Sequence, residues 1–117
     1  MAFSAKVRAR IIRRDDGLCV LCGAPATNIH HRMPRGAGGS KHRPWVDREA
    51  CGLSLCGSGT TGCHGWIEGH RAEALKMGWL VPRNGLLRPS EVPYWSPADG
   101  RWWLLDDEGN RVEYEQV

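Results

Sequence analysis

The spacing of apolar positions changes several times along the chain, and each change marks an element. From Ala5 to Arg14, Val7, Ile11 and Ile12 recur at helical spacing among Lys6, Arg8, Arg10, Arg13 and Arg14, which predicts a short, basic amphipathic helix. Asp15-Asp16-Gly17 ends it, and Leu18 to Gly23 reads as a compact knuckle. Asn28 to Arg32 reads as a short strand or a strand entering a loop, and Gly52 to Cys56 alternates apolar and small residues as a second. Between them, Pro34 to Ser40 holds three glycines and a proline and reads as an irregular loop. The helical period returns from His64 to Met77 through Trp66, Ile67, Ala74 and Leu75, making this the longest predicted helix, with Gly78 placed to stop it. Beyond Trp79, Arg101 to Leu105 and Arg111 to Tyr114 flank a polar, Gly-containing turn and predict a β-hairpin. The fold class expected is α+β, divided as a unit over residues 1–80 and a C-terminal β extension over 81–117 packed on or beside it.

Composition narrows the class. With 117 residues, 41% of them hydrophobic and 25% charged, the chain is an ordinary small globular domain. It has no apolar run of about 20 residues to span a bilayer. The first residues, Met1 to Lys6, hold no apolar segment followed by a cleavage site, so a reducing cytoplasm is the expected compartment. Five cysteines there call for a reason other than disulfides. The net charge of +3 hides an asymmetry: residues 1–48 hold ten Lys/Arg against three Asp/Glu, and residues 49–117 hold six against ten. A basic front half suggests a face for a polyanion.

Cys19 and Cys22 form a C-x2-C knuckle, and Cys56 and Cys63 form a C-x6-C pair further on. Four thiolates on two turns suit a tetrahedral structural zinc, a useful staple for a small core. The second spacer exceeds the usual two to four residues, and Gly57 to Gly62 is expected to loop out flexibly to close it. His30-His31 precede the Gly-rich loop. His64 follows Cys63 directly, and Glu68 lies one helical turn on along the same face. Imidazoles on either side of a carboxylate suit a divalent cation with open positions for phosphate oxygen and water. His70, two residues past Glu68, turns away and reads as surface or structural.

The run Ile29 to Ser40, followed by Leu53-Ser54-Leu55-Cys56-Gly57 and Gly62-Cys63-His64-Gly65-Trp66, resembles the HNH endonucleases, and most nearly their small phage-type, terminase-associated members. The resemblance covers about residues 5–80 and extends weakly into the C-terminal hairpin. It implies a ββα-metal (His-Me finger) core, a structural Zn2+ and a DNA backbone cut that uses Mg2+, Mn2+ or another divalent cation. By position, His30 and His64 would be metal ligands, Glu68 a further ligand and His31 the general base. DNA is the implied partner, with a large terminase subunit as a second. A monomer or weak homodimer in the host cytoplasm would follow.

The chain departs from the family in one respect. The family's central Asn, which braces the loop carrying the general base, falls at or beside Cys51, and a thiol is a poor substitute for a carboxamide. His42 or Asp47 could brace that loop instead. The alternative reading is therefore a catalytically weak zinc-binding module that binds DNA or a terminase. A third reading is an interaction protein whose acidic C-terminal segment, Asp99 to Val117, docks a partner while the zinc serves only stability. For DNA, Arg8, Arg10, Arg13 and Arg14 on the first helix, with Arg32, Arg35 and Lys41 around the loop, are the expected phosphate contacts.

Overall fold

A computed structural model of the chain describes residues 3–34 and 43–115. The first helix, α1 (Ala5–Arg14), is N-capped by Ser4, whose hydroxyl oxygen accepts from the Val7 N–H at 3.2 Å. It ends where Asp16 and Gly17 both take the left-handed conformation, at φ 57° and 68°. Strands β1 (Asn28–His31) and β2 (Gly52–Leu55) pair antiparallel, with His30 opposite Leu53 and His31 opposite Gly52. Two helices follow, α2 (Gly62–Gly69) and α3 (Arg71–Lys76). A three-stranded antiparallel sheet, ordered β3 (Tyr94–Ser96), β4 (Arg101–Leu105), β5 (Arg111–Glu113), completes the chain. The architecture is α+β, with two small sheets. Among the described residues no helix is long and apolar enough to cross a membrane.

The β1–β2 pair lies between helices. A Cβ at Gly52 would collide with Ile11 Cδ1 and crowd Phe3, so α1 rests directly on the strand backbone. That face carries one core of Phe3, Val7, Ile11, Met33, Val46 and Cys51. The other face sends Leu53 and Leu55 toward Ile67 of α2, in a second core that also takes Tyr94 and Leu105 from the C-terminal sheet. Side chains alternate across a strand, so His30 points to the α2 side and His31 to the α1 side.

Two of the expected DNA contacts are instead bolts of the core. Arg14 is buried: its guanidinium grips Asp15 through two bonds of 2.8 and 2.9 Å and donates to the Glu49 and Gly52 carbonyls. Arg32 is wholly buried and donates to the carbonyls of Gly78, Ala50, Pro89 and Val92 at 2.6–3.0 Å. A planar guanidinium has five donors, enough to gather four carbonyls from three segments, and that need outweighs solvation of the charge. Burial lowers the Arg32 pKa to about 10, so it remains charged at neutral pH.

The basic helix also turns differently from its apolar pattern. Val7, Ile11 and Arg14 are its buried positions, while Ile12 is 45% exposed. The expected long helix breaks in two at His70, whose φ of −135° leaves the helical region after Gly69. The His70 ring takes up the slack, with Nδ1 2.8 Å from the Trp66 carbonyl oxygen and the ring stacked on the indole. Gly78 ends α3 as expected, at φ 76°, where a Cβ would strike the Pro93 carbonyl. The predicted hairpin forms as β4–β5, its turn pinned by Asp106 accepting from the Glu108 and Asn110 N–H groups, both at 2.9 Å. Strand β3, absent from the sequence reading, adds to its other edge.

Candidate metal centres and the cleft between them

The four knuckle cysteines converge. Cys19, Cys22, Cys56 and Cys63 place their sulfurs within 4.8 Å of one another. Tetrahedral zinc with ~2.3 Å bonds to sulfur separates its ligands by about 3.8 Å, and Cys22 Sγ lies 3.6 Å from Cys56 Sγ. The donor set and spacing fit a zinc ion. The first turn closes through the Gly23 N–H on the Cys19 carbonyl at 2.9 Å, with Gly23 at φ 80°.

The six-residue spacer loops out and brings the two cysteines together as expected, and it does so through a hydrogen-bonded turn. Ser58 and Thr61 exchange backbone bonds of 3.0 and 3.3 Å, and their hydroxyls meet at 2.9 Å. Gly57 and Gly62 take positive φ at its ends and touch one another, a packing that no side chain at either position would permit. The turn therefore returns the chain almost to its start. The Cys63 N–H then points at Cys56 Sγ at 3.5 Å. That bond, more than any other influence, holds the Cys56 thiol below its usual pKa and favours the thiolate a metal requires.

Cys63 opens α2, and the anchored turn aims the next residue. His64, His30 and Glu68 form a second group with ligand atoms within 4.8 Å. His64 Nε2 is 3.7 Å and His30 Nδ1 4.0 Å from Glu68 Oε2. His30 Nε2 lies 2.8 Å from the Trp79 carbonyl, which can only accept, so the ring proton sits on Nε2 and the Nδ1 lone pair faces the group. Burial pushes the His30 pKa down to about 4, leaving the ring neutral near pH 7. Glu68 turns its other oxygen to Arg71, at 2.9 Å. Two imidazole nitrogens and a half-exposed carboxylate suit a borderline or hard divalent cation with positions left open.

His31 opens onto the same cleft of roughly 380 Å3, with Pro34, Arg71 and the three candidate ligands. Its ring stacks on Phe3, centroids 4.0 Å apart and planes 10° from parallel, and Nε2 is 3.2 Å from Asp47 Oδ1. Cys51, the fifth cysteine, is neither in the cysteine group nor in the histidine group. It is buried, its sulfur 3.3 Å from the Met33 backbone nitrogen and 3.6 Å from the Met33 carbonyl oxygen. Burial pushes its pKa up to about 11, so it stays a thiol.

Of the proposed DNA contacts, Arg8 and Arg13 are exposed, whereas Arg10 pairs with buried Glu49 at 3.0 Å. Arg35 and Lys41 lie outside the described residues. Sequence reasoning missed Arg71 and Phe3. Arg71 had a signal in its position three residues past Glu68 on a helical pattern, but Phe3 had none, being far from His31 in sequence. No protein-family model matches the chain, and no curated protein or solved structure matches it.

Proposed function

We propose that this protein is a metal-dependent DNA endonuclease of the HNH type, with β1, β2 and α2 as its ββα-metal core. One observation carries the reading: His30 Nδ1, His64 Nε2 and Glu68 Oε2 converge in a cleft that also receives His31 backed by Asp47. Neither half alone would argue for hydrolysis, since a cation site without a base, or a His–Asp pair without a cation site, has many other uses.

In this reading His30, His64 and Glu68 would hold a divalent cation, whose positive charge would offset the charge that builds up on the phosphate during cleavage. His31 takes a proton from a water molecule as the water oxygen bonds to phosphorus. The P–O3′ bond breaks, and the leaving oxygen takes a proton from solvent. Asp47 orients the imidazole and stabilises the imidazolium that forms, and the Phe3 ring limits its rotation. Arg71, on the rim, neutralises Glu68 from outside and offers its remaining donors to a phosphate. Cys51 supports the base indirectly by gripping both backbone groups of Met33, two residues beyond His31. That grip is the observation against the alternative of a catalytically weak module, because it supplies the bracing whose loss motivated it. The four-cysteine group would take Zn2+ and so fix the start of α2, on which His64 rides.

The test is nicking of supercoiled plasmid by the zinc-loaded protein with Mg2+, Mn2+ or Ni2+ added. Wild type should convert supercoiled to open-circular DNA, and His31→Ala should lose on the order of a hundredfold or more. If wild type nicks no faster than His31→Ala with every metal, the endonuclease reading falls. Metal analysis supplies a second arm: His64→Ala should keep one tight zinc and lose an exchangeable second ion.

A further inference from the structure

A second cavity, of roughly 410 Å3, lies between the turn Pro44–Asp47 and the loop 82–88, lined by Met33, Trp45, Leu87 and the three arginines Arg43, Arg83 and Arg88. Its charges are unbalanced. None of these arginines pairs with a carboxylate among the described residues, although Arg10, Arg14, Arg48, Arg71, Arg101 and Arg111 all do. Glu91, the acid closest along the chain, instead accepts from the Arg88 backbone N–H at 2.8 Å. Three guanidinium groups around one cavity repel each other unless an anion joins them.

The donors around it are also unfinished. Trp45 Nε1 and Arg83 Nε are both buried and have no hydrogen-bond partner among the described residues. Buried N–H groups normally have an acceptor, and two such orphans on one cationic cavity call for a ligand that only accepts. Parts of the wall are already held in place. The Arg88 guanidinium lies 4.5 Å from the centre of the Trp45 ring, and Arg43 Nε donates to the Arg83 carbonyl at 3.1 Å, tying the turn to the loop. The rim is apolar, with Leu86 fully exposed and Leu87 half-exposed.

We infer that this cavity is a phosphate-binding pocket for a nucleic-acid strand. A phosphate group is acceptor-only, carries the required charge and matches the guanidinium fork. The leucines and the indole favour a phosphodiester over the free ion, because sugar and base carbons have apolar surface to cover them. The pocket shares a turn with the cleft, since Trp45 lines the pocket and Asp47 contacts His31. A strand crossing the cleft would thus be held at a second point, and the footprint would extend onto the C-terminal half of the chain. This inference rests on the nucleic-acid reading above, but not on catalysis.

Binding is measured by fluorescence anisotropy with a labelled 20-base-pair duplex, on zinc-loaded protein without other divalent cations. Arg83→Gln/Arg88→Gln should weaken binding about tenfold and lower the slope of log K against log salt by about one. Trp45→Phe keeps the aromatic ring under Arg88 and removes only the indole N–H, and should weaken binding by about threefold while leaving the thermal melt unchanged. Unchanged affinity and salt slope in all variants would overturn the pocket. The endonuclease reading would then still stand or fall on plasmid nicking, which His31→Ala tests separately. Inorganic phosphate provides the other arm. If millimolar phosphate perturbs the Trp45 indole N–H resonance while the wild type binds no duplex, the pocket serves the free ion and the strand assignment is wrong.

Discussion

Single residues in this protein carry roles that their chemical type does not announce. Arg32 is the strongest case, a cation removed from water to satisfy four carbonyl oxygens. Arg32→Ala would leave those buried acceptors unpaired at ~1–3 kcal/mol each, comparable to the whole stability of a small domain at ~5–15 kcal/mol. The expected outcome is a protein without a cooperative thermal transition. Arg32→Lys, with a point charge in place of a fork, should fold with a clearly lowered midpoint. Cys51 is the quieter case. Its thiol is buried and poorly acidic, while the other four cysteines would be held by zinc. Alkylation followed by mass spectrometry should therefore find no fast thiol in the zinc form. After chelation four adducts should form, with Cys51 lagging until the protein unfolds. Cys51→Ala should cost about 1–2 kcal/mol by freeing the Met33 N–H, and should slow nicking more than that loss of stability explains.

At the scale of elements, the turn between Cys56 and Cys63 decides whether the chain has a metal site at all. Six residues exceed the usual spacer, and the excess is absorbed by two glycines at positive φ that touch each other. Gly57→Ala would drive a Cβ into the Thr61 backbone, whereas a Cβ at Gly59 meets nothing within 4 Å. The first change should weaken zinc retention at least ~10-fold in competition with a chromophoric chelator, and the second should leave it unaltered. Helix α2 depends on the same turn, because His64 follows Cys63 and Glu68 lies one helical turn further along. Gly57→Ala should therefore also loosen the exchangeable cation. The break at His70 bears on function too: it ends the helix just past Glu68 and starts α3 with Arg71 against that carboxylate. An unbroken helix from 64 to 77 would carry Arg71 onward at a different angle.

For the whole molecule, the two halves divided in the sequence reading share one core. Tyr94 and Leu105 pack with Cys19, Leu53 and Ile67, and Arg32 reaches Pro89 and Val92. Deleting residues 99–117 removes Leu105 and two strands. The expected product is insoluble or molten, with apolar-dye binding and lost near-ultraviolet dichroism, rather than a trimmed but folded chain. Removing zinc should lower the thermal midpoint by ~10 °C or more, since binding energy at a structural site is folding energy. The sequence by itself determined the local features: where α1 begins and ends, the β1 and β2 strands, the C-terminal hairpin, and the pairing of cysteines and histidines as donor groups. These follow from short-range spacing, capping and turn chemistry, which act within a few residues and can be read in order. Only the tertiary structure decided which arginines face solvent, that Asp47 and Phe3 flank His31, that Cys51 grips Met33, and that Arg43, Trp45, Arg83 and Arg88 line one cavity. Each of those depends on segments far apart in the chain meeting in space. A charged side chain carries the same letter whether it ends in water or against four carbonyls, and burial, which tells the two apart, is a property of the packed chain.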